Sequence, residues 1–152
     1  MKNSEFYSMI GDILRSPRFR SMKRYRHHVR SNAYEHSLKV AYLCYCHHKR
    51  FGGRIPIEEF VRGALLHDYY LYDCHDPRRS YRGHLAKHPA QAWRNAVRDY
   101  PKLTETQRDM IRHHMFPISP FCPPRTAAGW LVCFYDKVAA VSDRFGVRHR
   151  AR

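Results

Sequence analysis

Apolar residues recur every three or four positions along most of this chain, which is the spacing of one face of an α-helix. The first segment with this pattern covers residues 4–14. The second covers residues 33–49 and is followed by two glycines, which favour a helix end. Its inward stripe consists of His36, Val40, Leu43 and His47. Histidine is therefore part of a predicted buried helix face.

Four more helices are predicted farther along the chain. One begins after Pro56, with two glutamates in its first turn, and ends near Asp68. The others cover residues 88–97, 104–114 and 125–141. No stretch alternates convincingly between apolar and polar residues over more than four positions, so the pattern predicts an all-α fold.

The composition indicates one globular domain. The chain has 152 residues, of which 43% are hydrophobic and 27% are charged. It shows no repeat, no linker and no run of apolar residues near the roughly 20 that cross a bilayer. Five cysteines without paired C-x-x-C spacing are interpreted as small core residues. We therefore predict a single cytoplasmic domain over residues 1–152 that has no contact with a membrane.

The net charge of +15 favours partners that carry phosphate, either nucleotides or nucleic acid. Residues 15–30 contain seven arginines or lysines and no acid. This block is either a solvated surface or a binding surface, and both interpretations stay open because Tyr25, His27 and His28 interleave with the charge. For the basic tail, residues 144–152, a solvated surface is expected.

Twelve histidines are many for this length, and several fall at the ends of predicted helices. These are His67 beside Asp68, His88, and the pair His113 and His114. Asp136 lies inside the apolar run WLVCFYDKVAAV, where a carboxylate is costly to bury unless it is paired or binds a cation. Imidazole and carboxylate ligands together suit Zn, Fe, Mn, Co or Ni. The pattern therefore predicts a metal site.

In this order the motifs resemble those of the HD-domain superfamily of metal-dependent phosphohydrolases. The matching segments are YEHSLKVAYL, RGALLHD, GHLAKHPAQAWRNA, IRHHMFP and FYDKVAAV. They extend from about residue 25 to residue 141, which covers most of the chain. The resemblance implies a compact helical bundle with its metal site between the central helices.

The resemblance also implies a ligand set for two divalent transition-metal ions. The ligands of the first ion would be His36, His67, Asp68 and Asp136. Asp68 would bridge to a second ion, which His88 and either His113 or His114 would hold. We prefer His114 because it immediately precedes the sequence MFP, although both histidines together also fit some sites of the family.

One segment departs from the family pattern. Many members continue HDIGK after the paired residues, whereas this chain reads HDYYLYD and lacks that lysine. Positive charge is therefore expected to come from Lys137 and from Arg24, Arg26 and His27 of the basic block. His84, in a segment predicted to be a loop, either faces the substrate or is exposed to solvent.

The resemblance implies hydrolysis of a phosphomonoester or phosphodiester by a metal-activated water, and the positive charge leads us to expect a nucleotide-like substrate. Asp68, His84 and Lys137 are the expected catalytic residues. Two other functions remain open at this point: a di-iron oxygenase on the same scaffold, and a basic nucleic-acid-binding module with a structural metal site. The second explains the charge but not the ordered histidines and aspartates.

Overall fold

The computed structural model describes residues 4–28, 31–76 and 83–145. Seven α-helices occur in this part of the chain, so the all-α prediction is confirmed. They are α1 (Ser4–Arg15), α2 (Pro17–Ser21), α3 (Ala33–Phe51), α4 (Ile57–Leu66), α5 (His84–Asp99), α6 (Glu105–His113) and α7 (Ala127–Phe145). A short 3₁₀ turn, Met22–Arg24, precedes a small antiparallel hairpin of β1 (Arg26–His28) and β2 (Ser31–Asn32).

The core lies around α3 and α4, which pack against each other. Helix α7 covers α3 on one side, and α6 contacts α4, α5 and α7. On the outside of α4 lies α1, whose apolar face buries Phe6, Ile10 and Ile13 completely. Burial of such a stripe stabilises a helix far more than its intrinsic propensity does. None of the described helices is both long and apolar enough to cross a membrane.

Two elements differ from the predictions. Helix α2 was not predicted, because five residues are too few to show a period; its signals are the Ser16 cap, which accepts from Phe19 N–H at 3.5 Å, and a proline at its start. Helix α5 begins at His84, four residues earlier than expected, and therefore contains Pro89. The earlier start aligns His84 and His88 on one helix face.

Asp109 joins α6 to the beginning of α7. Its carboxylate accepts hydrogen bonds from the backbone N–H groups of Arg125 at 3.0 Å and Thr126 at 2.9 Å. The Thr126 hydroxyl donates to it as well, at 2.6 Å. These donors more than offset burial and lower the pKa of Asp109. The carboxylate is therefore fixed beneath the first turn of α7.

Gly129→Ala is expected to destabilise the protein because α7 passes very close to this carboxylate. A Cβ at residue 129 would lie 2.3 Å from Asp109 Oδ2 and 3.1 Å from Pro124 Cβ. Overpacking of this kind costs about 1–3 kcal/mol, and displacing the held carboxylate adds to it. After a helix-propensity gain of about 1 kcal/mol, we expect a net loss of about 2 kcal/mol. Thermal unfolding should show a midpoint about 4–8 °C lower.

Gly11→Ala in α1 is the matched control. A Cβ there would meet only the flexible end of Arg15, at 3.2 Å. Alanine is favoured over glycine in a helix by roughly 0.5–1 kcal/mol, so this variant should keep or slightly raise the midpoint. Equal midpoints for the two variants would show that the close approach at Gly129 is absent.

Candidate metal centre

Six buried polar side chains converge between the central helices. His67 and Asp68 follow directly after α4, and His36 lies in the first part of α3. The other three come from α5, from the end of α6 and from the middle of α7: His88, His114 and Asp136. Taken as whole residues, none of the six is more than 8% exposed. Four imidazoles and two carboxylates thus share one interior region.

Asp68 lies at the middle of this cluster, with its two oxygens facing in different directions. Oδ1 is 3.1 Å from His88 Nε2 and 3.4 Å from His114 Nε2. Oδ2 is 3.6 Å from His67 Nε2 and 3.9 Å from His36 Nε2. Each carboxylate oxygen therefore faces its own pair of imidazole nitrogens.

Asp136 closes the half of the cluster that contains His36 and His67. Its Oδ1 is 3.0 Å from His36 Nε2 and 3.6 Å from His67 Nε2. In this half, one ligand atom from each of the three residues lies within 4.8 Å of the others. The same holds for His67, Asp68 and His114 in the other half. Two adjacent ligand groups result, and they share His67.

Three of the histidines have their tautomer set by the backbone. Their Nδ1–H groups donate to main-chain carbonyls, which can only accept. These bonds join His67 to Ala64 at 2.8 Å, His88 to His84 at 3.1 Å and His114 to Ile111 at 2.9 Å. Each neutral ring therefore presents the lone pair of Nε2 to the centre of the cluster, which is the arrangement of a metal-binding imidazole.

The nitrogen atoms of the cluster fit a cation. His88 Nε2 and His114 Nε2 lie 2.9 Å apart, and both carry lone pairs when their Nδ1 atoms hold the protons. Two such lone pairs repel unless a proton or a metal ion lies between them. Among the described residues, the buried Nε2 of His67 has no hydrogen-bond partner. Nitrogen and oxygen donors together match divalent transition metals.

The two halves of the cluster differ in charge. Burial lowers the pKa of His36, but the carboxylates of Asp136 and Asp143 outweigh it and raise that pKa to about 9. Burial raises the pKa of Asp136, yet the hydrogen bond with His36 and the proximity of His67 hold it well below the ordinary value. Burial lowers the pKa of His114 to about 4, so this ring is neutral at pH 7. Neutral imidazole is the form that binds metal.

Asp143 is a residue of this site that the sequence interpretation missed. Its Oδ2 accepts a hydrogen bond from His36 Nδ1–H at 3.2 Å. It lies seven residues after Asp136 on the same helix, which is two turns along the same face. That spacing is the signal by which it could have been found.

His113, the other candidate ligand of the adjacent pair, lies outside the cluster of six residues. Its Nδ1 lies 2.7 Å from Asp109 Oδ1, one helical turn earlier in α6. Consecutive helical residues point about 100° apart, and here His113 points toward Asp109 while His114 points into the cluster.

The sequence pattern predicted a loop at His84, but this residue is the first of helix α5. Its ring stacks on His88 with centroids 4.7 Å apart, and Tyr72 Oη lies 2.8 Å from its Nδ1. Burial, and then the proximity of His88, lower the pKa of His84 to about 4. A neutral ring therefore lies behind His88.

The expected positive groups differ in their distance from the cluster. Lys137 reaches it directly: Nζ lies 3.1 Å from Asp136 Oδ2 and also donates to the backbone carbonyl of His114. Arg24 and Arg26 have exposed side chains in the 3₁₀ turn and in β1. The side chain of His27 lies outside the part of the chain that the structure describes.

The tyrosines after Asp68 belong mainly to the core. Tyr69 is fully buried and donates from Oη to Asp99 Oδ2 at 2.9 Å. Tyr70 is also buried, and its ring contacts His88 edge-on with centroids 5.6 Å apart. These residues pack the wall behind the cluster.

An all-α domain with imidazoles and carboxylates gathered between its central helices defines a helical protein with a candidate metal centre. A model of the HD domain matches residues 33–141, more than two thirds of the chain. The chain therefore belongs to the HD domain family, whose members are typically metal-dependent hydrolases. The buried histidines and aspartates are compatible with such a site. Neither the curated proteins nor the solved structures contain a match to this chain.

Proposed function

We propose that this protein is a phosphohydrolase that holds two divalent cations. His36, His67, Asp68 and Asp136 would hold one ion. Asp68, His88 and His114 would hold the other. The observation that carries the proposal is the position of Asp68, because its two oxygens face two separate pairs of Nε2 atoms at 3.1–3.9 Å.

Such cations lower the pKa of a coordinated water and neutralise charge on a phosphoryl oxygen. The chain itself supplies the arrangement around them. The backbone carbonyls that accept from the three Nδ1–H groups keep the ligand rings from rotating. Asp68, which faces both halves of the cluster, fixes their positions relative to each other. Deep burial excludes bulk water and strengthens each electrostatic interaction.

Lys137 is our candidate for direct contact with the phosphoryl group. An ammonium has three N–H donors, and the contacts to Asp136 and His114 use two of them. The side chain is 35% exposed, so it lies at the edge of the cluster that solvent can reach. A positive group there would stabilise charge that develops on the phosphoryl oxygens.

We assign His84 a positioning role in place of a direct one. Its backbone carbonyl accepts from His88 Nδ1–H, and its ring stacks on the His88 ring. Both contacts hold His88 with Nε2 toward Asp68. Tyr72 in turn restrains the ring of His84.

The substrate class we propose is a small nucleotide-like phosphate ester. The net charge of +15 attracts anions to the whole protein. Arg24 and Arg26 are exposed and are available for a second phosphate or for a nucleic-acid backbone. The hydrogen-bonding capacity of this basic block is the reason for preferring a substrate with more than one anionic group.

Metal analysis of the purified protein, followed by a screen of phosphorylated compounds, tests the proposal. We expect about two divalent ions per chain, and hydrolysis that a chelator abolishes and added Mn²⁺, Co²⁺ or Ni²⁺ restores. A metal-free protein that stays inactive with all three ions would contradict it. Two bound irons with visible colour but no hydrolysis would favour the oxygenase. Salt-sensitive RNA or DNA binding without any hydrolysis would favour the nucleic-acid-binding module.

A further inference from the structure

Asp143 lies at the end of a short chain of charged contacts that reaches the cluster. Its Oδ1 accepts from Lys39 Nζ at 2.7 Å, and its Oδ2 accepts from the Ser31 hydroxyl at 3.1 Å. The same Oδ2 accepts from His36 Nδ1–H at 3.2 Å. The side chain is only 9% exposed. Three donors, two on α3 and one on β2, thus hold one carboxylate against the back of His36.

His36 differs in this respect from the other histidines of the cluster. The Nδ1–H groups of His67, His88 and His114 donate to neutral backbone carbonyls, whereas that of His36 donates to a carboxylate. A negative acceptor fixes the same tautomer but also makes the opposite nitrogen more basic. Nε2 of His36 therefore becomes the stronger donor toward a cation.

The position of His36 gives this carboxylate a second role. His36 is the fourth residue of α3, where the partial positive charge of the helix N-terminus disfavours a nearby cation. Asp143, from α7, places a negative oxygen 3.2 Å from Nδ1 of His36, on the opposite side of the ring from Nε2. The carboxylate offsets that unfavourable field.

We propose that Asp143 is a positioning residue that orients His36 and strengthens it as a metal ligand. The inference rests on the proposed function, because it assigns His36 to a metal ion. Asp143 acts through His36 and does not itself contact the centre of the cluster. Ser31 belongs to β2, so the same carboxylate also anchors the hairpin that carries Arg26.

The test is a titration of the metal-free protein with Co²⁺, followed by visible absorption, which reports coordination directly. Asp143→Asn keeps the shape of the side chain but removes its negative charge. We expect the affinity for the ion on the His36 side to fall about 10–100-fold. Binding on the side of His88 and His114 should be unchanged, and it serves as the internal reference.

Lys39→Met and Ser31→Ala separate this role from a structural one. Both remove a contact of Asp143 and should lower thermal stability, but both leave its bond to His36 in place. Their Co²⁺ affinity is expected to equal or exceed that of the unchanged protein. If Asp143 were only structural, the affinity would follow the melting midpoint in all variants. That outcome would overturn the proposal.

Asp143→Glu replaces the asparagine variant if the latter does not fold. It keeps a negative charge near Lys39 but displaces the carboxylate from His36, and we expect a fall of at least about 10-fold in affinity. Co²⁺ binding by folded Asp143 variants that equals that of the unchanged protein overturns the positioning role and leaves the proposed function standing. Failure of the unchanged protein to bind Co²⁺ overturns both.

Discussion

Asp68→Ala is expected to leave the protein without bound metal and without phosphohydrolase activity. The substitution removes the one group whose oxygens face both pairs of imidazoles. Each half of the cluster would lose a negative oxygen ligand, and the carboxylate between the two halves would be gone. Metal ions contribute several kcal/mol to stabilising a transition state, so kcat/KM should fall by at least about 10³-fold.

The measurement is metal content by elemental analysis together with hydrolysis of the best substrate found in the screen. Asp68→Asn gives a second variant of nearly the same shape, so that loss of metal can be separated from loss of packing. Asp12→Asn is the matched control, because Asp12 is a carboxylate in an ion pair with Arg62 on the surface. Full metal content in both Asp68 variants would show that Asp68 does not bridge two ions.

The fold and most of the cluster were accessible from the sequence because their signals are local. An inward stripe marked His36, and an aspartate in an apolar run marked Asp136. Burial of either side chain requires a partner, so both had to meet other polar groups inside the protein. Packing of α3 on α4 and α7 brings those groups together.

The features that were missed depend on contacts between distant segments. Asp143 looks like an ordinary polar residue at the end of a helix until Lys39 and His36 are placed against it. The start of α5 was misplaced because proline favours the first turn of a helix, whereas here it lies inside the helix. Proline's preference for the first turn predicted a helix start at residue 88, whereas in the folded protein the helix begins at His84.

The choice between His113 and His114 also depends on contacts that the sequence does not reveal. Either neighbour satisfies a motif, and only the direction of each side chain separates them. The ring of His113 is hydrogen-bonded to Asp109. The ring of His114 is hydrogen-bonded through Nδ1 to the carbonyl of Ile111, which leaves its Nε2 facing Asp68. Asp109 is itself fixed by the beginning of α7, so an interaction between α6 and α7 decides which histidine faces the cluster.

His114→Ala and His113→Ala should therefore affect different properties of the protein although the residues are adjacent. His114→Ala removes an Nε2 atom that lies 2.9 Å from that of His88 and 3.4 Å from Asp68. We expect loss of the ion on that side and a fall in kcat/KM of about 10²–10³-fold, which corresponds to about 3–4 kcal/mol. Metal content and kinetics measured on both variants in parallel give the comparison.

His113→Ala removes a single hydrogen bond to Asp109, whose other donors remain. Its cost is expected to be about 1 kcal/mol, or roughly 2–4 °C in the melting midpoint, with metal content unchanged. The reverse pattern, with metal lost only from the His113 variant, would mean that α6 is rotated by about 100° relative to the orientation described. Because Asp109 could not then accept from the beginning of α7, such a rotation would also remove the cost of Gly129→Ala, so the two experiments check each other.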